Sequence, residues 1–244
     1  MRTSLAIAAV ASTVASVAVS ASAGPPGHWT QITHQHNGTV ADVGLARAKD
    51  GTLHVFWAGP SRAPLTAILD TPVSPSGAVG NPKPVVSGWN GVHTPAAVTA
   101  PDGSIHLIVS GQKLGSSDDP NAGLNEIVGP GSWQLEAHAF GNFSISEASN
   151  ANVRIAVLKS GQLASVWTTA AKMLFQAGVD PSTQPQDITP PGDTIGAAEI
   201  AVDQASGYAV VAYHGVSSGS DFLRRVLPSL GPAQTIPQAK CSRS

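Results

Sequence analysis

The sequence predicts an all-β protein, a β-propeller built from four-stranded antiparallel blades, and three observations predict it. The first is an eighteen-residue module that recurs four times without a gap: DVGLARAKDGTLHVFWAG from Asp42, TPAAVTAPDGSIHLIVSG from Thr94, NVRIAVLKSGQLASVWTT from Asn152 and AEIAVDQASGYAVVAYHG from Ala198. Its turns fall at Asp50, Asp102, Ser160 and Ser206, giving periods of 52, 58 and 46 residues, the range of propellers, solenoids and repeat arrays. The second is the pattern within each copy, in which two apolar, β-branched or aromatic runs flank a two-residue turn containing glycine. That is a hairpin signal, because glycine supplies the positive φ that such turns require. The third is the absence of any stretch between hairpins with apolar residues at i, i+3, i+4 and i+7, which excludes helical repeats.

Two more short strands fit after every hairpin. They are expected at Leu65–Leu69 and Pro84–Val86, Leu124–Val128 and Trp133–Ala137, Met173–Ala177 and Gln186–Ile188, and Phe222–Leu227 and Ala233–Ile236. Four strands in about 50 residues make a propeller blade, so blades are predicted at 41–87, 93–140, 151–189 and 197–237. Trp57, Trp167 and Tyr213 align with one another, and with Val109 in the second copy; bulk at one repeat position reads as a wedge between blades. Gly59, Gly111 and Gly215 also align and are expected to release the chain from its strand. His54 and His106 align too, and read as structural groups hydrogen-bonded within their blades.

A further strand at 28–32 precedes the first repeat, so five outer strands accompany four hairpins. That tally leaves four blades visible and the ring incomplete on its C-terminal side, with four-bladed closure as the alternative. The segment 239–244 reads as an irregular tail. Residues 1–23 carry one charge at Arg2, an Ala/Val-rich run and Ala21-Ser22-Ala23, the form of a secretory signal cut before Gly24. Residues 24–238 then form one repeat domain, expected to be extracellular and free of the membrane after cleavage.

Composition narrows the function. Only 11% of residues are charged and the net charge is −2, so there is no basic field for nucleic acid. With 42% hydrophobic residues, the 25 glycines and 19 prolines indicate many tight turns rather than disorder. The single cysteine, Cys241, cannot form an internal disulfide. No P-loop, dinucleotide-binding glycine pattern or nucleophile elbow is present, and no cofactor is expected. His34-Gln35-His36 and Asp118-Asp119-Pro120-Asn121 lack the spacing of a metal site, so no metal is expected either.

Loops leading into the innermost strands and loops leaving the second strands share one face of a propeller, which is where a ligand is expected. Asp42, His93, Asn152 and Glu199 fall on the former, and Arg62, Asp118, Asp119, Lys172, His214 and Asp221 on the latter. Arg154 is among the arginines within reach of the channel, with Arg47 and Arg62. The ligand-binding set is therefore taken as Asp42, Arg62, His93, Asn152, Arg154, Glu199 and His214, a mix of charges suited to a sugar or an organic anion. Trp89 and Trp133 are the best candidates for stacking on a sugar ring.

Blade length, an exported chain and the recurring Asp-Gly, apolar, Trp hairpin resemble the sialidase-like, BNR-repeat β-propellers of secreted bacterial proteins, over roughly Trp29 to Ile236. The family's Asp-box turn lies between third and fourth strands, and Ser74-Pro75-Ser76-Gly77-Ala78 and Asp180-Pro181-Ser182-Thr183 stand at that place. The resemblance implies a fold of propeller type. For an active member it also implies an arginine triad, a tyrosine nucleophile paired with a glutamate, and an acid/base aspartate. Tyr208 and Tyr213 both sit inside the fourth hairpin at packing positions, and the arginines occupy non-equivalent repeat positions, so no catalytic residue transfers. The leading expectation is a secreted propeller that binds carbohydrate or another extracellular ligand without catalysis. A sialidase-class glycoside hydrolase, or an inactive or truncated remnant of one, and a protein-interaction scaffold are the alternatives.

Overall fold

Sixteen strands in four antiparallel sheets form the described part of the chain in the computed structural model, which covers residues 43–60, 66–113, 123–140, 152–169, 172–180 and 182–237. All of them lie in the compact unit Ile32–Ser244. No helix occurs among the described residues. The leader, the strand at 28–32 and the tail from 239 fall outside them.

Blade 1 comprises β1 (Val43–Arg47), β2 (Leu53–Pro60), β3 (Thr66–Val73) and β4 (Lys83–Trp89). Blade 2 comprises β5 (Gly91–Thr99), β6 (Ile105–Gln112), β7 (Gly123–Gly129) and β8 (Gln134–Phe140). Blade 3 comprises β9 (Asn152–Val157), β10 (Leu163–Thr168), β11 (Met173–Ala177) and β12 (Gln186–Asp187), and blade 4 comprises β13 (Ile195–Val202), β14 (Ala209–Gly215), β15 (Ser220–Leu227) and β16 (Ala233–Thr235). Within each sheet the strands pair in sequence order. This is the β-propeller architecture, and the strands expected from sequence within the described residues are present within a few residues of their expected bounds.

The hairpin turns form for local reasons. Gly51 and Gly103 have φ of 89° and 92°, a conformation costly to any residue with a Cβ. The preceding aspartates close the turns, with Thr52 N–H donating to Asp50 Oδ1 and Ser104 N–H to Asp102 Oδ1, each at 2.9 Å. Register follows from the turn, so Leu45 pairs with Val55 and Val98 with His106.

Strand alternation then assigns every blade two faces. Ile105, Leu107 and Val109 of β6 point back onto blade 1, where Phe56 and Ile68 meet them. Ile108 and Leu124 point forward onto Val153 and Trp167 of blade 3. Val166 and Phe175 point forward onto Val211 and Tyr213 of blade 4. Trp167 is wholly buried and Tyr213 is 4% exposed, so these two aromatics are wedges between blades. Burying a side chain of this class contributes roughly 1.5–3 kcal/mol.

Three sequence expectations need correction. Gly59 and Gly111 do not release the chain, since β2 and β6 run through them. Their role is close packing: a Cβ at Gly111 would lie 2.7 Å from the Gly91 carbonyl, and one at Gly59 would lie 2.8 Å from Leu69. Gly215 does end β14, and a Cβ there would collide with the Asp193 carboxylate. Tyr208 is not a packing residue, being 45% exposed in the fourth turn with the Arg225 guanidinium 5.3 Å from its ring centroid.

Candidate functional site

The innermost strands β1, β5, β9 and β13 stand side by side, one from each blade, and line an open cavity of about 310 Å³. Its wall is Val43, Gly44 and Leu45 of blade 1, Pro95, Ala96 and Ala97 of blade 2, Arg154 and Ile155 of blade 3, and Glu199 of blade 4. Pro95 sits where the β5 register shifts, between His93 and Ala96, a place where a missing N–H costs no ladder bond. Its carbonyl approaches β1 so closely that a Cβ at Gly44 would lie 2.8 Å from the oxygen.

Arg154 is the organising side chain. Its Nε donates to Glu199 Oε1 at 2.6 Å, and one terminal nitrogen donates to Asn152 Oδ1 at 2.6 Å and to the Val153 carbonyl at 2.8 Å. The Arg154 side chain is 24% exposed and that of Glu199 is 66% exposed. A half-exposed ion pair contributes little to stability, about 0–1 kcal/mol. Its effect here is positional: a fixed guanidinium with an accessible carboxylate beside it, in a cavity otherwise lined by small and aliphatic residues. Such a site offers donors and acceptors within one small volume, at the lower end of the 300–1,000 Å³ typical of ligand pockets.

Three of the seven residues expected to bind ligand, Asn152, Arg154 and Glu199, are thus brought together. His214 is not with them. It pairs with Asp221 at 2.9 Å on blade 4, in a neighbouring groove of about 280 Å³ that Glu199 also lines. Asp42 and Arg62 lie outside the described residues, as do Asp118 and Asp119. His93 is on β5, with its side chain outside them. Lys172, just before β11, pairs with Asp187 of β12 at 3.5 Å, and Arg47 donates to the Gly51 carbonyl in its own turn at 2.7 Å. The small wall residues Gly44, Ala96 and Ala97 were missed by sequence reasoning. Their common position near the start of the inner strand was the available signal.

The stacking candidates are used for packing instead. Trp89 is 3% exposed in the core, and Trp133 lies edge-on to Phe56 and His54, with ring centroids 5.3 and 6.0 Å away. Neither lines the cavity.

Two histidine–carboxylate pairs occupy equivalent places in blades 1 and 2. His54 Nδ1 lies 2.8 Å from Asp70 Oδ2, and His106 Nδ1 lies 2.6 Å from Glu126 Oε1. Ser104 Oγ stands 2.9 Å from His106 Nε2, which superficially makes a Ser–His–Glu series. The serine hydroxyl, however, donates to Asp102 Oδ1 at 2.6 Å, away from the base that would have to accept its proton. The series ties the turn to the blade, as the aligned Asp50–Thr52 and His54–Asp70 contacts do in blade 1. Among the described residues no group of three His, Cys, Asp or Glu side chains could hold a metal ion.

These carboxylates set an acid limit on the fold. The Ser104 hydroxyl and N–H hold Asp102 below its ordinary value of 3.8, as the Ser206 hydroxyl does for Asp203 and the Ser218 hydroxyl for Asp193. A carboxyl whose pKa is lowered by folding adds stability that is complete above 3.8 and is lost as pH falls through the lowered value. Asp70 has the opposite sign: burial raises its pKa, and the His54 hydrogen bond only partly offsets this. Its contribution therefore falls as pH rises from 3.8 through the raised value. The lowered groups are more numerous, so thermal melting across pH should show the midpoint falling below pH 3.8. Asp102→Asn should make that dependence shallower.

No protein-family model matches the chain, and no curated protein matches it. Among solved structures, a protein of unknown function from Dyadobacter fermentans DSM 18053 superposes with a TM-score of 0.60 at 13% identity, over 80% of this chain and 68% of that one. The likeness is one of fold. Weaker overlaps occur with a family-43 β-xylosidase/α-arabinofuranosidase from a compost metagenome (TM-score 0.47, 12% identity, 81% and 70% covered) and with a thermostable family-43 glycoside hydrolase (TM-score 0.45, 10% identity, 81% and 78% covered).

Proposed function

We propose that the chain is an extracellular binding protein that takes carbohydrate, or another small polar ligand, into the cavity between its four inner strands without transforming it. The observation that carries this reading is the Asn152–Arg154–Glu199 cluster at a cavity to which every blade contributes. A guanidinium held by three acceptors is fixed in place, so the Asn152–Arg154–Glu199 cluster meets hydroxyl or carboxylate oxygens with little ordering cost. The leader at residues 1–23 supports export, which would place the site where free glycans and small organic molecules occur.

Catalysis has less support. Glycoside hydrolysis generally needs a second carboxylate across the scissile bond, and Glu199 is the one carboxylate among the described residues lining this cavity. Tyr213, buried between blades, cannot act as an exposed nucleophile.

Glycan-array screening followed by calorimetric titration tests the proposal. Arg154→Met should weaken binding roughly tenfold to a hundredfold, the effect of losing a hydrogen bond to a charged group worth about 1.5–3 kcal/mol. A blank array together with no heat from sugars or small organic acids would remove the binding reading. Turnover of a fluorogenic sialoside or other glycoside would remove the non-catalytic one.

A further inference from the structure

One position separates the four repeats at the centre of their blades. Five residues after each turn, the second strand carries Val55, Leu107, Ser165 and Val211. Opposite them on the third strand stand Thr71, Ile127, Gln176 and Arg224. In blade 2 both partners, Leu107 and Ile127, are aliphatic and buried. In blade 1 the Thr71 hydroxyl accepts a hydrogen bond from Trp57 Nε1 at 3.0 Å. In blade 4 Arg224 donates to the Gly231 and Ile188 carbonyls, each at 2.9 Å. Blade 3 differs. Ser165 is 0% exposed and Gln176 2%, and neither Ser165 Oγ nor Gln176 Oε1 has a hydrogen-bond partner among the described residues.

We propose that these two oxygens hold an internal water molecule at the junction between blades 2 and 3. Native proteins satisfy nearly all buried polar groups, and use ordered water where protein atoms do not reach. The Gln176 amide is already oriented, since its Nε2 donates to the Asp180 carbonyl at 2.9 Å and the Gly178 carbonyl at 3.4 Å. That leaves Oε1 as an acceptor, while the serine hydroxyl can rotate to donate. Directly opposed residues carry their Cβ atoms about 4.5–5.5 Å apart. One water reaches oxygens up to about 5.6 Å apart, two ordinary O–H···O lengths. A single molecule can therefore accept from Ser165 and donate to Gln176.

The surroundings favour water over an apolar filling. Strand alternation puts Ser165 on the same face of β10 as Trp167, which packs against Ile108 and Leu124 of blade 2. On that facing surface Glu126 pairs with Ile108 and is 7% exposed, with Oε1 bonded to His106 at 2.6 Å. A buried carboxylate thus stands on the side of blade 2 turned towards the Ser165–Gln176 pair, and offers an acceptor for the water's second proton. A polar centre also accounts for the small apolar cluster at this junction. It holds five buried residues, where each of the other two clusters holds eleven. The water site does not depend on the ligand reading of the cavity.

Oxygen-17 magnetic relaxation dispersion, which counts waters held inside a protein in solution, is the test. Wild type should show one more long-lived water than the double variant Ser165→Ala, Gln176→Leu, which gives blade 3 the apolar centre that blade 2 has. A crystal structure of the unaltered chain supplies a second reading that no variant's folding can affect. It should show ordered solvent within hydrogen-bond distance of both Ser165 Oγ and Gln176 Oε1. Equal dispersion amplitudes for the two proteins, with the variant's circular dichroism unchanged, would overturn the proposal. So would a crystal structure in which this junction is dry, whether or not the serine hydroxyl bonds the amide directly.

Discussion

Trp167→Ala is expected to destabilise the fold by roughly 3–5 kcal/mol, the range for removing a buried aromatic from a packed core. Trp167 has no exposed surface and fills the junction between blades 2 and 3 with Ile108, Leu124 and Val153. This is the smallest of the three clusters formed by the described residues; the clusters joining blades 1 and 2 and blades 3 and 4 are each more than twice as large. Repeat arrays gain stability from nearest-neighbour interfaces, so the weakest junction decides whether the array unfolds as one unit. Differential scanning calorimetry of the variant should show a lower midpoint and a transition broadened or split into two. A midpoint within a degree or two of wild type, still sharp, would mean that the junction is held by something other than this side chain.

Gly44→Ala is expected to cost roughly 1–3 kcal/mol, the price of forcing an extra carbon into packed structure. The added methyl would meet the Pro95 carbonyl at 2.8 Å and the Ala97 Cβ at 3.4 Å. Neither neighbour can move aside by rotating a side chain, so β1 and β5 must separate. Both strands line the cavity, and the same change should weaken ligand binding. Chemical denaturation and titration on one preparation check both effects. Unchanged stability would show that the inner strands tolerate separation.

Much of the architecture was legible in the sequence because its signals are local. The strand Met173–Ala177 is found at its expected bounds and Gln186–Asp187 within one residue of them, since alternation and turn residues need no distant partner. His54 and His106 were legible as structural from their alignment. Their acids were not, because Asp70 lies on the neighbouring strand opposite Phe56, diagonal to the histidine. For the site, Asn152 and Glu199 could be placed in loops entering the inner strands and Arg154 within reach of the channel, whereas Arg154 and Glu199 lie within β9 and β13. The bond between Arg154 and Glu199 joins two sheets and depends on how the blades lean together, which no periodicity encodes. Gly44 was invisible for the same reason, its constraint being a carbonyl on another blade. Trp89 and Trp133 misled because an aromatic suits a sugar ring and a core equally, and only burial tells these apart.

The four strands around the cavity belong to four different sheets, and that has a consequence for adaptability. A pocket within a single sheet cannot change one wall without disturbing the ladder that holds the others. Here each wall has its own ladder, and the bore is set by how thick the wedges between blades are. Substitutions remote from the ligand can therefore widen or narrow the site, while each wall can alter its chemistry alone. A scaffold of this kind can exchange one ligand for another by small, separable steps, without passing through a misfolded intermediate.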